Sequence, residues 1–146
     1  MKTSAYTIIA VSALGMLNAV YLTFLYLREQ SGAAAVGICD INSTLSCSSV
    51  VSSPYALFLG VPVCSIALLV YPVLIALAGL TLKRANTRNL FFAISLLAAM
   101  GLMLNLVYIY NEVVYIQALC LLCILCTVFI LTDLLMAIRG YAKSRN

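Results

Sequence analysis

The sequence predicts an all-α membrane protein, one domain over residues 1–146 built as a bundle of four transmembrane helices. Three observations carry this. The chain is 65% hydrophobic and 8% charged, with mean hydropathy +1.15, more apolar surface than a soluble domain of this size hides. Uncharged runs cover 6–27, 55–82, 89–111 and 113–132, each near the ~20 residues that cross a bilayer. Seven of the eight Lys and Arg fall where an up-and-down bundle gathers them on one side.

The first span is expected at about 6–27. Lys2 before it suggests a signal peptide, but the run is too long for an h-region and no small-x-small cleavage site follows, so it reads as a retained helix. Residues 28–54 form a long polar loop, a length that usually signals function or disorder. Ser53 reads as a helix cap, with Pro54 at the first helical position. From there Tyr55–Leu59 predicts a short interfacial helix, Gly60-Val61-Pro62 an interruption, and the rest of 55–82 the second span. Pro72 predicts a kink. Residues 83–88 join this span to a third at 89–112. A short turn near 112–115 leads to the last span at 116–138.

Orientation follows from the basic residues. Lys2, Lys83, Arg84, Arg88, Arg139, Lys143 and Arg145 share one predicted side, the cytoplasm, and only Arg28 lies on the other. The loop 28–54 and the 112–115 turn then face outward. The net charge of +4 is this topology signal, not a nucleic-acid footprint.

The chain has no His and six Cys, so thiol chemistry is what the side chains offer. Cys39 and Cys47 sit in the outward loop, where thiols usually become disulfides, as a redox pair or as a static staple. Cys120 and Cys123 are expected in the first two turns of the last helix, on one face, where the helix N-terminus favours a thiolate. Both pairs lie on the same predicted side. A loop pair that meets a partner and then swings to the helix pair makes a relay by thiol–disulfide exchange. Its acceptor at the lipid boundary is expected to be a quinone. Cys126 extends the spacing towards an iron–sulfur pattern that nothing nearby completes. Cys126 and Cys64 read as core fillers.

These residues resemble the vitamin K epoxide reductase family, and most closely its compact prokaryotic, disulfide-forming members. The resemblance rests on Cys39-Asp40, Ser46-Cys47-Ser48, Val50, Ser52-Ser53, Gly60-Val61-Pro62 and Cys120-x-x-Cys123, and covers about 10–130. It implies that Cys39 meets the redox partner, Cys47 exchanges with Cys120, and Cys123 lies against the quinone ring. It also implies that Ser53 helps bind the quinone's oxygen. The quinone would be ubiquinone or menaquinone, a vitamin K-type ring. No thioredoxin-like domain follows Ile138, so the partner is expected to be a separate thioredoxin-like protein. The animal enzymes carry Tyr where this chain has Thr127, and their pocket Asn finds no match around Val63. Both departures favour quinone as oxidant over vitamin K epoxide as substrate.

Asp133 reads as a structural acid near the cytoplasmic end of the last helix, and Asp40 as loop structure or a partner contact. Tyr71 and Tyr108 are candidate pocket residues. Asn42-Ser43-Thr44 is an N-glycosylation pattern. A glycan between the loop cysteines would hinder a partner, which favours a prokaryotic inner membrane over the endoplasmic reticulum. The leading expectation is a quinone-linked thiol–disulfide oxidase. The alternatives are a vitamin K epoxide or quinone reductase and a non-enzymatic, thiol-rich metal-ion carrier.

Overall fold

A computed structural model describes residues 2–32, 38–83 and 87–144. Arg84, Arg145 and residues 33–37 of the predicted loop lie outside the described residues. Four helices long and apolar enough to cross a membrane make up most of the structure, as expected. They are α1 (Lys2–Gln30), α3 (Val63–Lys83), α4 (Thr87–Asn111) and α5 (Leu121–Lys143). A short helix, α2 (Cys47–Val51), lies in the loop between α1 and α3. The long helices close a ring in the order α1, α3, α4, α5, with α1 also against α5. Large apolar side chains such as Leu17, Leu69 and Met103 face outward, as lipid-facing surface does.

Small residues let the helices approach. A Cβ on Gly15 of α1 would overlap the Tyr71 ring of α3, and one on Gly140 of α5 would overlap the Phe91 ring of α4. Several polar side chains inside the bundle find partners there, because lipid offers none. Asn18 Nδ2 of α1 donates to the Leu122 carbonyl at 3.0 Å, and Asn105 Nδ2 of α4 donates to Thr127 Oγ1 of α5 at 2.6 Å. Ser12 Oγ donates to Asp133 Oδ2 at 2.8 Å.

Several boundaries differ from expectation. α5 runs to Lys143 rather than Ile138, so Asp133 lies about 15 Å short of that end at ~1.5 Å per residue. It is fully buried against Ser12, which replaces the reading of an acid near the helix end. The second span begins at Val63, not 55. Pro54–Ala56 is one turn of 3-10 helix, in place of the longer interfacial helix. Its cap is as read: Ser53 Oγ accepts the Tyr55 N–H at 3.2 Å, with Pro54 at the first position. Next comes a two-stranded hairpin, β1 (Leu57–Phe58) with β2 (Val61–Pro62). Leu59 and Gly60 both take positive φ (53° and 83°), the backbone a two-residue hairpin turn demands. The α3 helix continues through Pro72.

The largest difference lies between α4 and α5. The chain after Asn111 is not an open turn but a π-helical turn, Glu112–Ile116. Gln117 ends it with a left-handed backbone (φ 56°). Leu119 then pairs as an isolated parallel bridge with Leu45 of the loop. So α5 starts at Leu121, five residues later than expected (116).

Candidate active site

The end of the bundle formed by the C-termini of α1 and α4 and the N-termini of α3 and α5 carries four cysteines, all buried, in one apolar cluster. Local chemistry in the loop sets up the first pair. Asn42 Oδ1 accepts the backbone N–H groups of Thr44 (3.0 Å) and Leu45 (2.9 Å), an Asx-type turn that reverses the chain. Ser46 caps α2, its Oγ accepting the Ser49 N–H at 3.2 Å. Asp40 joins the two arms: it accepts Ser46 Oγ at 2.8 Å and Ser48 N–H at 3.1 Å, and also binds Ser48 Oγ. Asp40 is therefore loop structure, one of the two roles expected of it. Beside this clamp, Cys39 and Cys47 are joined as a disulfide, with their Cα atoms 5.7 Å apart.

The loop is seated on the bundle by backbone and burial together. Leu119 N–H donates to the Thr44 carbonyl at 2.8 Å, and Ser46 N–H donates to the Leu119 carbonyl at 3.2 Å. Tyr21 Oη accepts the Ile38 N–H at 2.9 Å. Val50 and Val51 of α2 are buried in the cysteine-end core with Leu22, Leu25 and Ala56.

Cys120 is not inside the helix, as the spacing predicted, but its N-cap, with extended backbone (φ −95°, ψ 111°). Its carbonyl accepts the N–H groups of Cys123 (3.0 Å) and Ile124 (3.2 Å), opening α5. Cys123 therefore sits in the first turn of α5. The bridge to the loop brings Cys120 Sγ to 2.9 Å from Cys47 Sγ. Cys39, Cys47 and Cys120 have their sulfurs within 4.8 Å of one another. Two of the three are joined in the disulfide, and a disulfide sulfur is not a thiolate ligand. The chemistry this arrangement offers is exchange: a Cys120 thiolate that attacks Cys47 Sγ expels Cys39 as the leaving thiolate.

Beyond Cys123 lies a cavity of about 370 Å³ walled by Cys123, Tyr108, Asn105, Cys64, Cys126 and Val51. A second, of about 440 Å³, shares Val63, Ala67, Asn105 and Cys126 with it and reaches Tyr71. Tyr71 and Tyr108 are thus cavity residues, as the sequence suggested. Cys64 and Cys126 are half-buried and pack against the two core clusters, as expected of core fillers, while also reaching the cavity wall; Cys126 Sγ lies 3.1 Å from Tyr71 Oη. Thr127 is fully engaged, donating to the Cys123 carbonyl at 3.1 Å and accepting from Asn105. Ser53 caps its turn, and Val51 is the residue of this loop segment on the cavity wall beside Cys123.

Two residues placed here escaped the sequence reading, Asn105 on the cavity wall and Glu112. Glu112, read as part of an outward turn, is fully buried. Its Oε2 accepts the Cys120 N–H at 2.9 Å. The sequence did hold a signal: a lone acid in an apolar stretch eight residues before Cys120.

A disulfide seated on a second cysteine pair, at one end of four spanning helices, defines a multi-pass membrane protein built for thiol chemistry. The chain belongs to the vitamin K epoxide reductase family, whose model matches residues 6–138, nearly its whole length. Membership makes it a membrane oxidoreductase of a family associated with quinone-linked redox chemistry. No curated protein matches it significantly.

Proposed function

We propose that this protein makes disulfides for a thioredoxin-like protein outside the cytoplasm. The observation that carries this is the 2.9 Å approach of Cys120 Sγ to Cys47 Sγ of the Cys39–Cys47 disulfide. Electrons enter when a reduced partner attacks that disulfide at Cys39. The Cys39–Cys47 dithiol then reduces a Cys120–Cys123 disulfide through a Cys47–Cys120 mixed disulfide, and Cys123 leaves with the electron pair. The structure has the loop pair oxidised and the helix pair reduced, which is the product side of that exchange.

The residues around Cys123 suit a quinone. The cavity walls are mostly apolar, and its polar groups are few and convergent. Asn105 Nδ2 gives one N–H to Thr127 and has a second, and Tyr108 brings a phenol to the same wall. We assign these two as donors to a quinone carbonyl, with Ser53 holding the adjacent turn. A bound quinone supplies a two-electron, two-proton acceptor. The side chains here would hold the ring near Cys123 and keep water from it. The basic residues support an outward-facing site: Lys2, Lys83 and Lys143 cap the helix ends away from the cysteines. A prokaryotic inner membrane is the proposed location.

Cys123→Ala is the test. Purified variant supplied with a dithiol and a soluble quinone should not reduce the quinone, and retained turnover would sink the proposal. Trapping a mixed disulfide on a Cys47→Ala variant in cells, followed by mass spectrometry, tests the partner. A thioredoxin-like protein is the expected adduct, and capture only of a protein of another class would reject it.

A further inference from the structure

Glu112 is a costly residue where it stands. A carboxyl group with no exposed surface, inside an apolar cluster at a membrane-spanning end, needs a reason to be there. One oxygen has a structural task, since Oε2 accepts the Cys120 N–H and orients the N-cap. The other, Oε1, is buried with no hydrogen-bond partner among the described residues. The Cys123 side chain lies beside the same carboxyl. The titratable groups facing it are Tyr108 from α4, Cys120 from the N-cap and Cys123 from α5, with no Lys or Arg among them. A carboxyl needed only to anchor one N–H would be served as well by a neutral amide, without a charge to bury.

The chemistry at Cys123 supplies the missing task. In the proposed relay, attack on Cys120 breaks the Cys120–Cys123 bond and leaves Cys123 as a thiolate. Cys123 is only 4% exposed, so water cannot readily protonate it. We infer that Glu112 is the proton carrier of the Cys120–Cys123 pair, handing a proton to Cys123 Sγ when the pair is reduced and taking it back when the pair is oxidised. This rests on the redox role proposed for that pair.

The balance closes. On reduction, the Cys39–Cys47 dithiol becomes a disulfide and gives two electrons to the Cys120–Cys123 disulfide. Cys123 takes its proton from the Glu112 carboxylic acid, and Cys120 takes one from the incoming thiols, whose other proton leaves to solvent. On oxidation, two electrons pass to an acceptor of the quinone class. The Cys123 proton returns to Glu112, the Cys120 proton goes to the acceptor, and the acceptor's second proton comes from solvent. Over one cycle Glu112 is unchanged, and one dithiol and one quinone become one disulfide and one quinol.

Glu112→Gln separates the two tasks, because the amide oxygen still accepts the Cys120 N–H but the group cannot exchange a proton. The full chain in lipid nanodiscs, without quinone, is cycled electrochemically while infrared difference spectra are taken. Wild type should gain a carboxylic-acid C=O band when the Cys120–Cys123 pair is oxidised and lose it on reduction. The band should shift in D2O and be missing from Glu112→Gln. In rapid-quench alkylation, the Cys39/Cys47 to Cys120/Cys123 exchange should slow about 100-fold in Glu112→Gln, the lower range for loss of a general acid. Glu112→Asp should recover part of it.

An infrared spectrum of wild type with no carboxyl change on oxidation overturns the inference, whatever the variants do. So does a Glu112→Gln exchange rate within twofold of wild type. Cys123→Ala separates the two failures: if it still reduces quinone, the redox pair itself is wrong. If it is inactive while Glu112→Gln is unimpaired, only the role of Glu112 falls.

Discussion

Replacing Val50 by Ala loosens the seat that holds Cys47 on Cys120. Val50 has no exposed surface and belongs to the core cluster that contains Cys47, Cys120 and Cys123. It lies in α2, which starts at Cys47, and Ala is the better helix former, so the short helix itself is not weakened. Two methyl groups leave the core. At ~0.8 kcal/mol per buried carbon plus a cavity contribution, the docked loop should lose about 2 kcal/mol. At ~1.4 kcal/mol per factor of ten, the undocked population rises roughly 30-fold. Undocking uncovers Cys120, which is fully buried beneath the loop. The assay is therefore pulse labelling with a soluble maleimide, read by mass spectrometry at the Cys120 peptide alone. Labelling of Cys120 should be about 30-fold faster in Val50→Ala, while Cys64 and Cys126 on the cavity wall change little. A Cys120 rate within twofold of wild type would show that Val50 packing does not hold the loop down.

Other expectations follow from the same contacts. Cys39→Ala with Cys123→Ala leaves Cys47 and Cys120 without competing partners at 2.9 Å, so mild oxidation should link them nearly completely in non-reducing peptide maps. Asp40→Ala removes the clamp between the two arms of the loop and should raise the reduction potential of the Cys39–Cys47 pair by up to about 40 mV, measured in glutathione redox buffers. Gly15→Ala puts a methyl into the Tyr71 ring and should lower the thermal midpoint in detergent, by the ~1–3 kcal/mol of an overpacked core. Asn105→Ala removes an amide from the cavity wall and should raise the KM for a soluble quinone about tenfold, the value of one net hydrogen bond.

The helices were legible because hydropathy reports them directly: four uncharged runs became four spanning helices. The cap at Ser53-Pro54 was legible because its chemistry is local, whereas α2 and its Ser46 cap, inside a stretch read as loop, were not foreseen. The break before α5 was not legible either. Residues 113–132 carry no charge, so nothing in composition separates the π-helical turn from the helix after it. That break depends on a long-range pairing of Leu119 with Leu45, which no local window sees. The same blindness hid Glu112, since an acid at a predicted turn looks solvated until the turn is found buried. The cysteine pairs themselves needed no geometry, whereas their approach across 73 residues of chain did.

The seat that joins Cys47 to Cys120 also carries a penalty for the proposed relay. Cys39, the sulfur assigned to the outside partner, is only 4% exposed while the loop is docked. A partner thiol therefore waits for the loop to open, whereas the internal exchange needs it closed. The two steps respond unequally to Val50→Ala. A docked state favoured by several kcal/mol stays dominant after losing about 2, so internal exchange should hold near the wild-type rate. The open state, which is rare, grows roughly 30-fold by the same arithmetic. Reduction of the Cys39–Cys47 disulfide by dithiothreitol should then accelerate about 30-fold in the variant. If opening limits turnover, quinone reduction driven by that dithiol rises too, an unusual result for a core truncation beside an active site. A variant in which external reduction is unchanged would mean that the thiol reaches Cys39 without undocking, and the loop would be a fixed cover rather than a shuttle.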